Sequence, residues 1–319
     1  MNKKGPTAGN RTIPWDKVHC PVCSGHIEYL GDKVVCQNSS CNKIFPVVAG
    51  IPVLINEGSS VFSFEDFAED KTTFFKKRGR IVEWLNQNGP SISHNLAAKK
   101  NYKMLSALAL KKKSSARILV IGGSIAGQGF EILSENSALE FVETDVSFGP
   151  RASMICDAHD LPFVDGSFDV VIAQAVLEHV VDPFRCVSEI HRVLRDEGLI
   201  YAETPFMQQV HGGRYDFMRF THRGHRRLFR NFEEVKSGII GGPGMALAWS
   251  WQYFLLSFAK SARARMLLSV LGRLTAFYLK YFDALLMYNP SSNDAASGFY
   301  FMGRKSQVTL SDKDLVHNY

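Results

Sequence analysis

The stretch that decides the fold is Ala116-Arg-Ile-Leu-Val-Ile-Gly-Gly-Ser-Ile-Ala-Gly-Gln-Gly129. Arg117 to Ile121 is a β-branched and leucine run that follows Lys111, Lys112, Lys113, Ser114 and Ser115, the pattern of a strand buried on both faces. The run ends in glycines. A strand feeding a Gly-rich turn and a helix start lets backbone N–H groups approach a ligand closely, because only glycine leaves the room and tolerates positive φ.

Working downstream, Leu139 to Asp145 reads as a second strand closing on an acidic residue, at about the 20-residue distance where a carboxylate can accept from a ribose diol. A third short strand ends at Asp157. The run Asp157-Ala-His-Asp-Leu-Pro-Phe-Val-Asp-Gly-Ser-Phe-Asp-Val-Val-Ile-Ala-Gln-Ala-Val-Leu-Glu-His179 follows, then a helix, then Val193 to Pro205. From Ala116 to about Lys305 the chain resembles the S-adenosylmethionine-dependent methyltransferases of the Rossmann-like class, type 11-like.

The expected fold is α/β, a Rossmann-like seven-stranded methyltransferase sheet. Strands are predicted near 117–121, 139–144, 153–156, 168–173 and 198–203, with helices near 127–135 and 183–195. A helix over His222 to Arg230 and a strand near Glu234 to Ile240 come next. A last strand over 297–303 runs antiparallel between the previous two, as the resemblance implies, and a helical insertion at about 242–294 precedes it. The expected division is 1–58 for a zinc ribbon with a disordered N-terminal tail, 59–115 for a helical linker or cap, 116–306 for the methyltransferase domain and 307–319 for a tail. The linker is predicted to hold helices over Thr72 to Asn86 and Ser93 to Lys111, with Asn101 and Tyr102 packing on the sheet or serving as lid residues.

The resemblance implies S-adenosyl-L-methionine as cofactor, with Gly122, Gly123 and Gly127 facing its methionine and ribose part. Asp145 is the first choice for the ribose carboxylate and Glu143 the second, since alternation sends both to one face. Asp157 would accept from the adenine amino group, Ala158 would supply a backbone N–H, and Gln174 would lie by the sulfonium. Each carboxylate has a structural alternative, capping the next helix. Two features depart from the family pattern: Val120 stands where an acidic residue is usual, and Ser124, Ile125 and Ala126 stretch the glycine spacing. Methyl transfer is an in-line displacement, so alignment matters most, and a hydroxyl acceptor benefits from a general base. His211 ranks above His179 for that role, because Glu178-His179 reads as the start of a helix. Asp216 and Arg219 bind substrate or form an ion pair within their loop.

Upstream, Cys20-Pro-Val-Cys23 and Cys36-Gln-Asn-Ser-Ser-Cys41 flank two short β-type runs, Ile27 to Leu30 and Lys33 to Val35. Cys20, Cys23, Cys36 and Cys41 can surround one structural Zn2+, and so small a module has too little core to fold without a staple. With Ile44 to Ile55 it resembles the zinc-ribbon activator subunit of tRNA and protein methyltransferases. His19 and His26 are read as bystanders to this quartet.

The chain has 319 residues, 45% hydrophobic and 21% charged, with a net charge of +6. These values exclude a disordered chain. Met1 to Arg11 lacks the apolar core of a secretion signal, and the cysteine usage suits a reducing cytoplasm. In the insertion, Gly244 to Ala259 is apolar but too short for a bilayer span. A helical stripe from Met266 to Leu286 is expected to pack over the substrate pocket or at a homodimer interface, with peripheral membrane contact through the 245–288 helices as the alternative. The leading function is methyl transfer to a hydroxyl of a small molecule, sugar or lipid-linked saccharide. A tRNA or RNA methyltransferase docking through the ribbon is less favoured, since nucleic-acid-binding stripes are missing. A non-catalytic scaffold is the third reading.

Overall fold

The computed structural model of the chain describes residues 13–68 and 89–317. The helix expected over Thr72 to Asn86 and the tail Met1 to Thr12 lie outside the described residues.

One eleven-stranded sheet organises the molecule, in the order β1-β2-β3-β4-β7-β6-β5-β8-β9-β11-β10. The large parallel part is β5 (Ala116–Ile121), β6 (Leu139–Asp145), β7 (Met154–Cys156), β8 (Phe168–Gln174) and β9 (Leu194–Pro205). β10 (Phe232–Gly241) and β11 (Gly298–Lys305) complete it, with β11 antiparallel to both β9 and β10 and lying between them. All seven strands fall close to where they are predicted, most of them as apolar stretches bounded by polar residues, while β10 is polar and half-exposed over much of its length.

The small N-terminal strands are β1 (Ile27–Tyr29), β2 (Lys33–Cys36), β3 (Ile44–Val48) and β4 (Ile51–Leu54), paired as antiparallel neighbours. β4 then pairs in parallel with β7, Val53 opposite Ile155 and Leu54 opposite Cys156. The ribbon therefore continues the main sheet and shares its core: Phe45 and Leu54 lie in one apolar cluster with Leu119, Val142 and Phe163.

Helices cover both faces. α1 (Ala98–Ala109) lays Tyr102 and Leu105 over Ile118, Val120, Ile172 and Tyr201. It begins where the Asn95 side chain accepts from the backbone N–H groups of Ala97 and Ala98, at 3.1 and 2.9 Å. Tyr102 is fully buried, so of the two readings it packs on the sheet. The helix expected over 127–135 shortens to α2 (Glu131–Ser134), because Gly129 takes φ +84° and its Cα lies where a Cβ would come within 3.2 Å of Ala98. α3 (Pro183–Val193) is capped by Asp182, whose side chain accepts from the Arg185 N–H at 3.0 Å, so Glu178-His179 does not begin it. α4 (His222–Leu228) is capped by Thr221.

The insertion is a helical hairpin, α5 (Pro243–Leu256) and α6 (Ala262–Ala276), followed by the short α7 (Asp283–Leu286). Buried Asp283 caps α5, accepting from the N–H groups of Gly242, Gly244 and Met245. The hairpin closes through small residues, since a Cβ on Gly272 would lie 3.1 Å from Gln252 Cα. The apolar stripe from Met266 to Leu286, which runs from α6 into α7, does not pack over the pocket: Leu267 is 65% exposed, Tyr281 64% and Leu285 80%. The amphipathic pattern names an apolar face; the close helix contact instead uses Gly272 and Ala276 on the other side. No helix among the described residues is long and apolar enough to cross a membrane. A final helix, α8 (Asp312–His317), packs beside α4.

Candidate active site

Alternation along the strands brings Glu143, Gln174 and Glu203 to one face of the sheet, at the carboxyl ends of β6, β8 and β9, beside the glycine turn that ends β5. Gly122 has φ +71°, and a Cβ there would meet Val176 at 2.4 Å. The turn is held from behind by Asp145, whose carboxylate accepts from the N–H groups of Ser124 (3.0 Å) and Ser147 (3.1 Å). Burial raises the pKa of Asp145 against these hydrogen bonds.

A cavity of about 50 Å³ lies between Gly122, Gly123, Gly127, Glu143, Arg151 and Gln174. Glu143 lines it, whereas Asp145 is not among the lining residues. Glu143 is fully buried, accepting from Arg151 Nε at 2.9 Å, and the guanidinium sits 4.6 Å from the Phe130 ring centroid. Gln174 occupies the space beside Gly127, where an added Cβ would come within 1.8 Å of its Oε1. Its amide accepts from Tyr102 Oη at 2.8 Å and donates to Glu203 at 2.9 Å. Asn95 and Tyr201 also donate to Glu203, whose pKa burial pushes up.

Asp157 closes β7 with both oxygens engaged. Ser60 Oγ donates to one at 2.5 Å, and the His159 N–H to the other at 3.0 Å. His159 Nε2 accepts from the Asp182 N–H at 3.0 Å, so its proton is on Nδ1, facing Asp157 at 2.5 Å. Burial works against this carboxylate, but His159 and Ser60 bring its pKa below the usual range. Ala158 is buried beside it. Ser60, Arg151, Glu203 and His159 are contributors that sequence reasoning passed over.

The loop after β9 forms the second half of the site. A groove of about 430 Å³ lies between this loop and α5, lined by Met207, Gln209, Asp216, Phe217, Arg219 and Ser250. Asp216 and Arg219 form a bidentate ion pair within the loop, and Asp216 also accepts from the N–H groups of His211 and Gly212. Burial opposes the charge on Asp216, yet Arg219 and those amides hold its pKa well below the usual carboxylate range. The structure brings His179 and His211 together, ring centroids 4.9 Å apart, with buried Glu178 beside both.

Residues 123–202 match a protein family described as "Methyltransferase domain". The matched segment holds Gly123, Gly127, Glu143, Asp157, Gln174 and Glu178, while His211 and the 206–221 loop lie beyond it. The chain is 33% identical over 105 residues to a protein of Mycobacterium tuberculosis, strain H37Rv, named "Probable S-adenosylmethionine-dependent methyltransferase Rv3030", and matches its counterpart in strain CDC 1551 equally. That alignment takes in 30% of this chain, and the chain spans 38% of the length of these relatives. Among solved structures, the phosphoethanolamine N-methyltransferase 2 of Haemonchus contortus aligns at 16% identity over 73% of this chain and 62% of its own, with a TM-score of 0.40.

At the other end of the sheet, the sulfurs of Cys20, Cys23, Cys36 and Cys41 lie within 4.8 Å of one another. Cys23 and Cys36 are 3.5 Å apart and Cys20 and Cys41 3.9 Å. Four thiolates around one zinc at its usual bond length stand about 3.8 Å apart, so the donors and their spacing fit that ion. His19 and His26 pair with each other across a β-bridge and stand outside the quartet.

Proposed function

We propose that the chain is an S-adenosylmethionine-dependent methyltransferase acting on a hydroxyl of a small molecule, sugar or lipid-linked saccharide. The observation that carries this reading is the row of Glu143, Gln174 and Glu203 around the glycine turn, within and just beyond the segment that matches the methyltransferase domain. The donor chemistry fits the cofactor: a buried carboxylate for a diol at Glu143, and a turn open at Gly122, Gly123 and Gly127. Space is the obstacle, because ligand pockets run to about 300 Å³ or more and the cavity is far smaller. Arg151 is the side chain that has to leave, and it is long enough to swing outward.

When bound, the cofactor supplies an electrophilic methyl group. The chain's own residues do the rest. Glu143 takes the ribose hydroxyls once Arg151 has moved. Gln174, fixed between Tyr102 and Glu203, borders the place where the methyl group is presented. The groove under α5 holds the acceptor, and the Asp216–Arg219 pair keeps its wall rigid. His211 and His179 stand on the acceptor side, with His211 exposed toward solvent.

The same reading places the acceptor at a membrane surface. Between Pro243 and Phe282 the chain carries Lys260, Arg263, Arg265, Arg273 and Lys280 and not one Asp or Glu. The hairpin tip exposes Phe254, Phe258, Met266 and Leu267 beside those cations, a combination suited to anionic lipid. In this reading the protein is cytoplasmic and peripheral to the membrane, and Cys20, Cys23, Cys36 and Cys41 hold a structural zinc ion. The experiment is calorimetric titration with S-adenosylmethionine, followed by methyl incorporation from labelled donor into separated lipid, glycan and RNA fractions. Label in lipid or glycan supports the proposal. Label in RNA overturns the acceptor class, and absence of cofactor binding leaves the scaffold reading.

A further inference from the structure

We propose that Glu178, His179 and His211 bind a divalent transition-metal ion of the zinc type, at a site distinct from the four-cysteine quartet. Glu178 has no solvent exposure, and neither of its carboxylate oxygens meets a hydrogen-bond donor. A buried carboxylate without a hydrogen bond is costly and calls for a counter-charge. What faces it is a pair of imidazole nitrogens, His179 Nε2 and His211 Nε2, each 3.7 Å from the same Oε1.

The other ring nitrogens fix the tautomers. His179 Nδ1 lies 2.8 Å from the Tyr215 carbonyl oxygen and His211 Nδ1 3.2 Å from that of Gln209. A carbonyl only accepts, so each Nδ1 carries a proton, and in the neutral ring each Nε2 presents its lone pair toward Glu178. A ring N–H held by a backbone carbonyl is the usual outer support of a metal-bound histidine. Three acceptors thus converge, all within 4.8 Å. A separation of 3.7 Å is too long for an N–H···O hydrogen bond. It is close to the roughly 3.4 Å between neighbouring ligands of an ion bound at about 2.1 Å.

The surroundings hold this geometry. Glu178's carbonyl accepts from the Phe217 N–H at 2.8 Å, which ties its turn to the loop bearing His211. Gly212 lets the His179 ring in, since a Cβ there would lie 2.5 Å from it. Two neutral imidazoles and one carboxylate leave a bound dication with net positive charge. Exposed His211 leaves its outer side open to a further ligand, the pattern of a catalytic rather than a structural site.

The site itself stands without the methyl-transfer reading; only its role rests on that reading. An acceptor hydroxyl on the ion would lose its proton to water at a lower pH than when free. His179 and His211 then serve as ligands, and neither acts as a base.

The test counts metal in the full chain. Protein already carrying zinc on the quartet is equilibrated with Co2+, freed of loose ion and analysed for both metals and for its visible spectrum. The expected result is about one cobalt per chain with a weak ligand-field spectrum and no thiolate-to-metal charge transfer. Glu178→Gln and His211→Gln should each lower cobalt affinity at least tenfold and leave the zinc in place. Glu178→Gln should also raise the Tm of the cobalt-free protein and abolish the upward shift that cobalt gives the parent. Absence of cobalt from the parent, or binding undiminished in both variants, overturns the proposal, whatever the methyl-transfer assays return.

Discussion

Arg151 lies in front of Glu143, its Nε 2.9 Å from the buried carboxylate, and both line the cavity beside the glycine turn where the proposed cofactor would place its ribose. The pair couples stability to occupancy. Removing the arginine takes one ion-pair contact from a buried charge, while removing the carboxylate's charge leaves a weaker, neutral acceptor.

Arg151→Ala should therefore lower stability by about 3 kcal/mol, the order found when one member of a buried pair is lost. The same variant should bind S-adenosylmethionine about tenfold more tightly than the parent, whereas Glu143→Gln binds it more weakly. Denaturant melts and calorimetry read both effects. Equal affinity in parent and Arg151→Ala would show that the arginine does not obstruct the site.

Because β4 is hydrogen-bonded to β7, zinc on the quartet should stabilise the whole sheet and not the ribbon alone. Chelation, or Cys20→Ser with Cys36→Ser, should lower the melting temperature of the main domain in the same transition as the ribbon. Two separate transitions in calorimetry, with the larger one unmoved, would contradict this.

His225 supplies a pH dependence. Burial among Phe220, Phe229 and Phe299, with His222 nearby, lowers its pKa to about 3, and its Nε2 has no hydrogen-bond partner. Above the unfolded value near 6.5 both states carry a neutral ring, and the group contributes no pH dependence. Below it only the unfolded chain takes up the proton, so stability should fall as pH drops from about 6.5 toward 3, by about 1.4 kcal/mol per unit at most. His225→Phe should remove that part of the slope in urea melts across this range. An unchanged slope would mean that the ring is protonated in the folded protein.

The exposed hairpin tip predicts flotation with anionic liposomes, weakened by salt at about 1 kcal/mol per surface cation. Phe258→Glu with Leu267→Glu should abolish it without changing the melting temperature, since both side chains are about two-thirds exposed. Equal flotation with neutral and anionic vesicles would argue against an electrostatic contact. A shift to monomer in the double variant would instead mark the face as a homodimer interface.

What was legible in the sequence divides along physical lines. The parallel strands of the main sheet are readable because each carries an apolar run with polar flanks. The glycine turn and Glu143, Asp145, Asp157 and Gln174 were placed at strand ends because strand ends are where such runs stop. Which of these line the cavity was not readable, since that depends on Arg151 folding back from a crossover with no periodicity of its own. The start of α3 falls at 183 as the range 183–195 predicts, with Asp182-Pro183 as its start signal, whereas Glu178-His179 lies ahead of the helix and does not begin it. Glu178 did leave a trace, as the carboxylate that directly follows the apolar run from Ala175 to Leu177, but its approach to His211 spans a helix, a strand and a loop. The stripe on α6 showed which residues are apolar and nothing about what covers them.

The junction between β4 and β7 also sets an order of events during synthesis. Leu54 leaves the ribosome about 100 residues before Cys156, its neighbour in the finished sheet, a gap of roughly 5–20 s at ordinary elongation rates. Throughout that interval the ribbon has to persist on its own, with its outer edge unpaired and open to other chains. A metal on the four cysteines, all translated before residue 42, would let so short a segment wait, folded, for the strand that it will flank.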